Sequence, residues 1–164
     1  MLSITSASAT PTCSPLAREA ILTWTLQESA GVIARPSRRV HPGQIVELWL
    51  NPIWPSAPLR WRGRDRVLPV GSCIVVEVVD EGTRAGFVYR TLPGHLESGE
   101  QAFLVAIGQE GRLGVTITSD SAPGHPLLRA FSPLSVAAQR MMAARYAEGM
   151  KQLLSSTLDR HRRS

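Results

Sequence analysis

Cysteine is scarce: Cys13 and Cys73 are the only two in 164 residues. Two thiols cannot build a disulfide framework or a cysteine-rich metal site. A buried, unreactive thiol at Cys73, where an apolar strand begins, is the expectation, and a reducing cytoplasm fits it. Lysine is nearly missing too. Lys151 stands alone, so arginine carries almost all of the positive side of a +5 net charge. Long apolar runs are lacking, and no stretch approaches the roughly 20 residues that cross a bilayer; a membrane partner is not expected. The opening residues MLSITSASATPTCSPLA have neither a basic start nor a continuous apolar centre, so they read as a polar, mobile lead-in over residues 1–14 rather than a secretory signal. Phosphate-binding glycine loops, nucleophile elbows, zinc motifs and dinucleotide fingerprints are absent, so neither a cofactor nor a metal is expected.

What is present suits one folded domain. Hydrophobic residues make up 43% and charged residues 19%, enough to bury a core over residues 15–158, followed by a basic tail at 159–164. Ser14-Pro15 opens a helix expected to run to about Glu28, with Ala17, Ile21 and Trp24 at helical spacing. Ile45 to Leu50 alternates as a strand, and three prolines between Asn51 and Pro58 mark an irregular loop. Two hairpins follow. Cys73–Asp80 pairs with Ala85–Thr91, and Gln101–Ile107 turns at Gln109-Glu110-Gly111 into Arg112–Thr118, where Leu113, Val115 and Ile117 point inward. Pro126–Phe131 reads as a short turn of helix. A long helix from Pro133 to about Ser156 carries Gln139, Met142, Tyr146, Met150 and Leu153 on one stripe. The predicted class is α+β: a curved antiparallel sheet packed on a long C-terminal helix, helix-grip-like, with an internal cavity between the layers.

Between the hairpins lies Tyr89-Arg90-Thr91-Leu92-Pro93-Gly94-His95-Leu96-Glu97-Ser98-Gly99-Glu100-Gln101-Ala102-Phe103. This run resembles the signature of an uncharacterised family, the "domain of unknown function" family nineteen-ninety, whose typical run is Tyr-Gly-Thr-Leu-Pro-Gly-His-Pro-Glu-Ser-Gly-Glu-Glu-Ala-Phe. The late pattern from Gln139 to Tyr146 and the neighbouring Gly86-Phe87 also fit, and the resemblance extends from about Ala20 to Leu154. It implies no biochemical activity. It implies a strand-and-terminal-helix pattern similar to helix-grip proteins that bind apolar molecules. Three positions depart: Arg90 replaces Gly, Leu96 replaces Pro, and Gln101 replaces Glu.

The motif places titratable groups close together. Pro93-Gly94 suits a turn with positive φ at Gly94, and Ser98-Gly99 suits a second turn. Folded back on the sheet, His95, Glu97 and Glu100 are candidates for general acid/base chemistry, since a carboxylate beside an imidazole orients it and raises its pKa. Tyr89 adds a phenol and Arg90 an anchor for a carboxylate or oxyanion. The same residues can instead simply fix the loop's shape, with His95 bonded to a backbone carbonyl. Trp49, Trp54 and Trp61 are candidates for a pocket mouth or for packing of the irregular loop; Met142 and Tyr146 are candidates for a ligand wall or plain core. The expected function is binding of a small apolar molecule in that cavity, with cofactor-free cyclisation or isomerisation of a polyketide-like substrate as its enzymatic form. The alternative is a non-enzymatic interaction protein whose arginines hold an anionic partner. Arg60, Arg62, Arg64 and Arg66 interleave with Trp61, and strand spacing would put these arginines on one solvated face. No groove-reading motif accompanies them, so nucleic acid is not the expected partner.

Overall fold

The computed structural model describes residues 2–6, 14–108, 113–123 and 140–153. Within that range nine strands and three helices follow in order. They are β1 (Leu2–Ser6), α1 (Pro15–Leu22), α2 (Thr25–Ser29), β2 (Val32–Arg35), β3 (Ile45–Leu50), β4 (Arg60–Trp61), β5 (Arg64–Asp65), β6 (Leu68–Asp80), β7 (Arg84–Thr91), β8 (Glu97–Ile107) and β9 (Leu113–Pro123). The last is a helix over 140–153, here α3. Seven strands form one sheet in the order β1-β9-β8-β7-β6-β3-β2, while β4 and β5 make a separate two-stranded ribbon. Every pairing in both is antiparallel.

Strand alternation decides which face is dry. Val46 and Leu48 of β3, Cys73 and Val75 of β6, Ala85, Phe87 and Tyr89 of β7, Phe103 and Val105 of β8, and Leu113, Val115 and Ile117 of β9 are all buried. The alternation expected for the last strand is therefore the one seen. On the other face Ile45, Glu47 and Arg90 meet water. Helix α1 rests on β7 and β8, and α2 on β2. Helix α3 lies over the same dry face: the Tyr146 ring meets Phe103 edge-on at 5.4 Å, and Met150 is buried. This is the α+β arrangement of a curved antiparallel sheet on a C-terminal helix. Aromatic rings run through its core, with Trp24 on Phe87 at 4.8 Å, Phe87 on Phe103 at 5.4 Å and Tyr89 on Phe103 at 6.0 Å.

Several elements differ from the sequence reading. The single helix expected over 15–28 is broken, because Trp24 takes a left-handed backbone (φ 64) between α1 and α2. The break turns a fully buried indole onto Phe87, and burying so large a ring outweighs one strained residue. Ser14 precedes Pro15 as expected, but its side chain makes no cap bond. Strands β6, β8 and β9 run longer than the pattern suggested, and β2 and the β4–β5 ribbon are additional. Residues 2–6, read as part of a lead-in, pair with β9 as β1. The turn at Gln109-Glu110-Gly111, the helical turn at 126–131, the start of the terminal helix at 133–139 with Gln139, its end beyond Leu153, and the basic tail all lie outside the described residues.

Candidate functional site

The motif begins where β7 ends. Leu92, Pro93, Gly94 and His95 form a turn closed by the His95 amide on the Leu92 carbonyl at 3.1 Å, and Gly94 has φ 91. Proline second and a positive-φ glycine third is the residue demand of a type II turn. The loop then lies along β6: the Leu92 amide donates to the Ser72 carbonyl and the Leu96 amide to the Val70 carbonyl, each at 2.9 Å. Between these two bonds the histidine rests on a gap in the strand. A Cβ placed on Gly71 would stand 2.8 Å from His95 Cβ and 2.9 Å from its Cδ2, and Gly71 has φ 134. Only glycine lets β6 and the imidazole approach so closely.

The second turn expected at Ser98-Gly99 is not there. Both residues already belong to β8 and pair with Ala122 and Ser121 of β9. Thr91 ties the two strands instead. Its Oγ1 accepts the Gly99 amide at 2.9 Å and donates to the Gly99 carbonyl at 3.2 Å.

His95 is 8% exposed. Its Nδ1 lies 3.0 Å from both the amide nitrogen and the carbonyl oxygen of Glu97. In one tautomer it accepts the amide proton, and in the other it donates to the carbonyl. Either way Nε2 is buried and without a partner among the described residues: a stranded N–H donor in the first case, a stranded lone pair in the second. Burial holds the imidazole pKa below its ordinary value. The bond to the Glu97 backbone and the Glu97 charge act in the opposite direction and are outweighed.

Around this end of the dry face gather other titratable groups. The Tyr89 hydroxyl donates to Gln101 Oε1 across the β7–β8 ladder. Burial pushes the Tyr89 phenol well up, with Tyr146, Cys73 and Glu97 adding smaller electrostatic contributions. Tyr146 is raised by burial first, then by Glu97 and Cys73. The Cys73 thiol is pushed up to about 12 by burial alone. Both tyrosines and the cysteine therefore stay protonated at neutral pH.

The remaining candidates are scattered by the sheet's own geometry. Arg90 and Glu100 face each other across β7 and β8, paired at 2.6 Å on the wet face. Neighbouring residues of a strand point to opposite sides, so the structure brings neither to His95, and Arg90 is engaged away from it. The three tryptophans do not share a pocket. Trp61 is exposed on β4, and Trp49 sits half-buried on β3 with the Arg35 guanidinium 5.9 Å from its ring centroid. Trp54 donates its indole N–H to the Ser29 carbonyl at 2.9 Å. The four arginines do not lie on one strand either, since Arg62 and Gly63, both at positive φ, form the tip between β4 and β5. Met142 packs partly buried against the core. Among the described residues no three His, Cys, Asp or Glu side chains gather as metal ligands.

Sequence reasoning missed four residues that shape this region. Gly71 had no local signal, because its partner is 24 positions away. Gln101 was visible as a departure from the family run but not as Tyr89's acceptor. Asn51 holds the proline-rich loop: its Nδ2 donates to the Ser56 carbonyl at 2.7 Å and its Oδ1 accepts the Ile53 amide at 3.2 Å. Arg145 of α3 is buried, donates to the Asn51 carbonyl at 3.2 Å and stacks over Trp54 at 5.2 Å.

No helix among the described residues is long and apolar enough to cross a membrane, and no solved structure matches the chain. A protein of Deinococcus radiodurans named "UPF0548 protein" is 44% identical over 73 residues, covering 44% of this chain and 37% of its own length; the match thus spans well under half of that relative. A family model matches residues 9–149, and that span takes in the motif loop, the whole β6–β9 meander and most of α3. The chain belongs to the family described as Domain of unknown function (DUF1990).

Proposed function

We propose that this protein binds a small apolar molecule between the sheet and α3 beside His95. In its enzymatic form it is a cofactor-independent cyclase or isomerase acting on a polyketide-like substrate. The observation that carries the reading is the buried, unpartnered Nε2 of His95. A stranded polar group in a dry interior costs about 1–3 kcal/mol, and a ligand group that meets it recovers that cost. The neutral imidazole suits proton transfer. With Nδ1–H donated to the Glu97 carbonyl, the Nε2 lone pair takes a proton from a carbon next to a carbonyl; the resulting imidazolium returns the proton to a different atom of the same substrate. Tyr146, held protonated, is suited to donate a hydrogen bond to the enolate oxygen that forms between the two steps, while Tyr89 is engaged with Gln101. Phe103 and Met142 supply apolar wall. Because Nε2 is shielded by protein, the ligand enters when α3 or the motif loop moves.

The test is a titration of histidine-labelled protein with polyketide-like ketones and aromatic esters, followed by nitrogen NMR of the imidazole and by melting temperature. At least one compound should move the His95 Nε2 resonance and raise the melting temperature, and His95→Ala should lose the rise. A compound that stabilises wild type and His95→Ala equally, with the Nε2 resonance unmoved, would remove His95 from the site.

A further inference from the structure

On the wet face, opposite to the buried imidazole, the β4–β5 ribbon and the β2–β3 edge leave a cleft of about 550 Å³ between them. Its wall includes Arg35, Trp49, Arg60, Arg64 and Asp65. Three arginines oppose one carboxylate, and that carboxylate is already engaged by Arg60 at 3.4 Å. Arg35 sits directly across the ladder from Glu47 yet makes no ion pair with it; its guanidinium lies over the Trp49 ring instead. Arg64 has no acidic partner among the described residues. The indole N–H of Trp49 is buried and unbonded. Two guanidinium groups with no ion pair among the described residues, one of them beside the Trp49 ring, therefore line one concavity.

We propose that this cleft is a binding site for a small phosphate-bearing molecule, with phosphate oxygens bridging Arg35 and Arg64 beside the Trp49 ring. The reading is independent of the His95 proposal. Guanidinium forks match phosphate oxygens in pairs, and such charge-assisted bonds are about twice as strong as neutral ones. The cleft volume suits a molecule of nucleotide size. Trp61, 57% exposed on the same ribbon, offers a flat surface for an aromatic ring attached to the phosphate. A nucleic-acid strand would need a continuous basic track with successive stacking platforms, whereas here the arginines close around a single concavity.

The probe is inorganic pyrophosphate, added at constant ionic strength with sodium chloride as the reference, and read by the indole proton–nitrogen resonances of the full chain. The Trp49 resonance should move saturably with pyrophosphate and stay still with chloride. Arg35→Gln and Arg64→Gln should each weaken binding by about tenfold, while Arg18→Gln, on an ion pair with Asp80, should bind as wild type does. All three positions are at least partly exposed, and unchanged circular dichroism verifies their folding. An unmoved Trp49 resonance, or equal binding by all three variants, overturns the site. A single-stranded oligonucleotide that binds more tightly as it lengthens, with pyrophosphate without effect on Trp49, overturns it in favour of a nucleic-acid surface.

Discussion

At the residue scale the motif is a device for burying one imidazole against one glycine. The turn at Pro93-Gly94 was legible because its two residues are a local demand of backbone geometry. Gly71 was not, because nothing nearby explains a glycine in a strand until the loop lies on it. Replacing Gly71 by alanine drives a methyl group into the His95 backbone and forces a positive φ on a residue that resists it. We expect Gly71→Ala to cost about 2–4 kcal/mol, read as a lower urea midpoint at unchanged slope. His95 also links stability to pH. Its folded pKa lies below the ordinary value of 6.5, so on acidification the unfolded chain takes up this proton first. The histidine's contribution is thus intact above about pH 6.5 and shrinks as pH falls from there toward the folded pKa. Wild type should lose more melting temperature than His95→Gln between neutral pH and about pH 5. An equal loss in both would show that burial does not depress this imidazole.

At the element scale, period two was easy to read and its ends were not. The alternation in β9 gave the right inward residues, Leu113, Val115 and Ile117, because the strand has one wet and one dry face. Ser98-Gly99 looked like a turn from composition, but pairing with β9 continues past it and tertiary context overrode the local preference. The helix break at Trp24 was hidden for the same reason: no glycine or proline marks it, and the ring's burial against Phe87 decides it. Helix α3 was legible as a stripe through Met142, Tyr146 and Met150, yet its second attachment was not. Gly149 meets Ser29 of α2 so closely that a Cβ would collide with the Ser29 side chain and stand 3.0 Å from its carbonyl carbon. Tyr146→Ala removes the ring packed on Phe103 and should cost about 3–5 kcal/mol. Gly149→Leu overfills the α2–α3 contact and should cost about 1–3 kcal/mol. Both are measurable by chemical denaturation. A near-neutral Gly149→Leu would mean that α3 does not seat against Ser29.

At the scale of the whole molecule, the sheet divides two surfaces with different chemistry. The dry face holds protonated phenols, a protonated thiol and a neutral imidazole; the wet face holds paired ions and the arginine cleft. The division follows from strand alternation, so the class of fold was readable from sequence, while the gathering of residues from β2, β3 and the ribbon was not. It also makes α3 essential to the interior. Phe103 of β8, which packs on Tyr89 of the central strand β7, is covered on one side by Tyr146, and without that helix a band of apolar sheet faces water. Such exposed area, valued at about 25 cal/mol per Å², is large against the 5–15 kcal/mol that typically holds a domain folded. Deleting residues 140–164 should therefore leave a chain with strand signal in the far ultraviolet but without fixed aromatic packing. The expected readings are a flattened near-ultraviolet circular dichroism spectrum, binding of a hydrophobic dye and a broadened urea transition. In the intact chain, indole fluorescence and far-ultraviolet signals should instead trace one coincident transition, since Trp24 and Tyr146 belong to the same ring cluster through Phe87 and Phe103. A deletion variant that kept a sharp, coincident transition would show that the sheet with α1 and α2 closes its own core, and that α3 is an addition to the domain rather than half of its second layer.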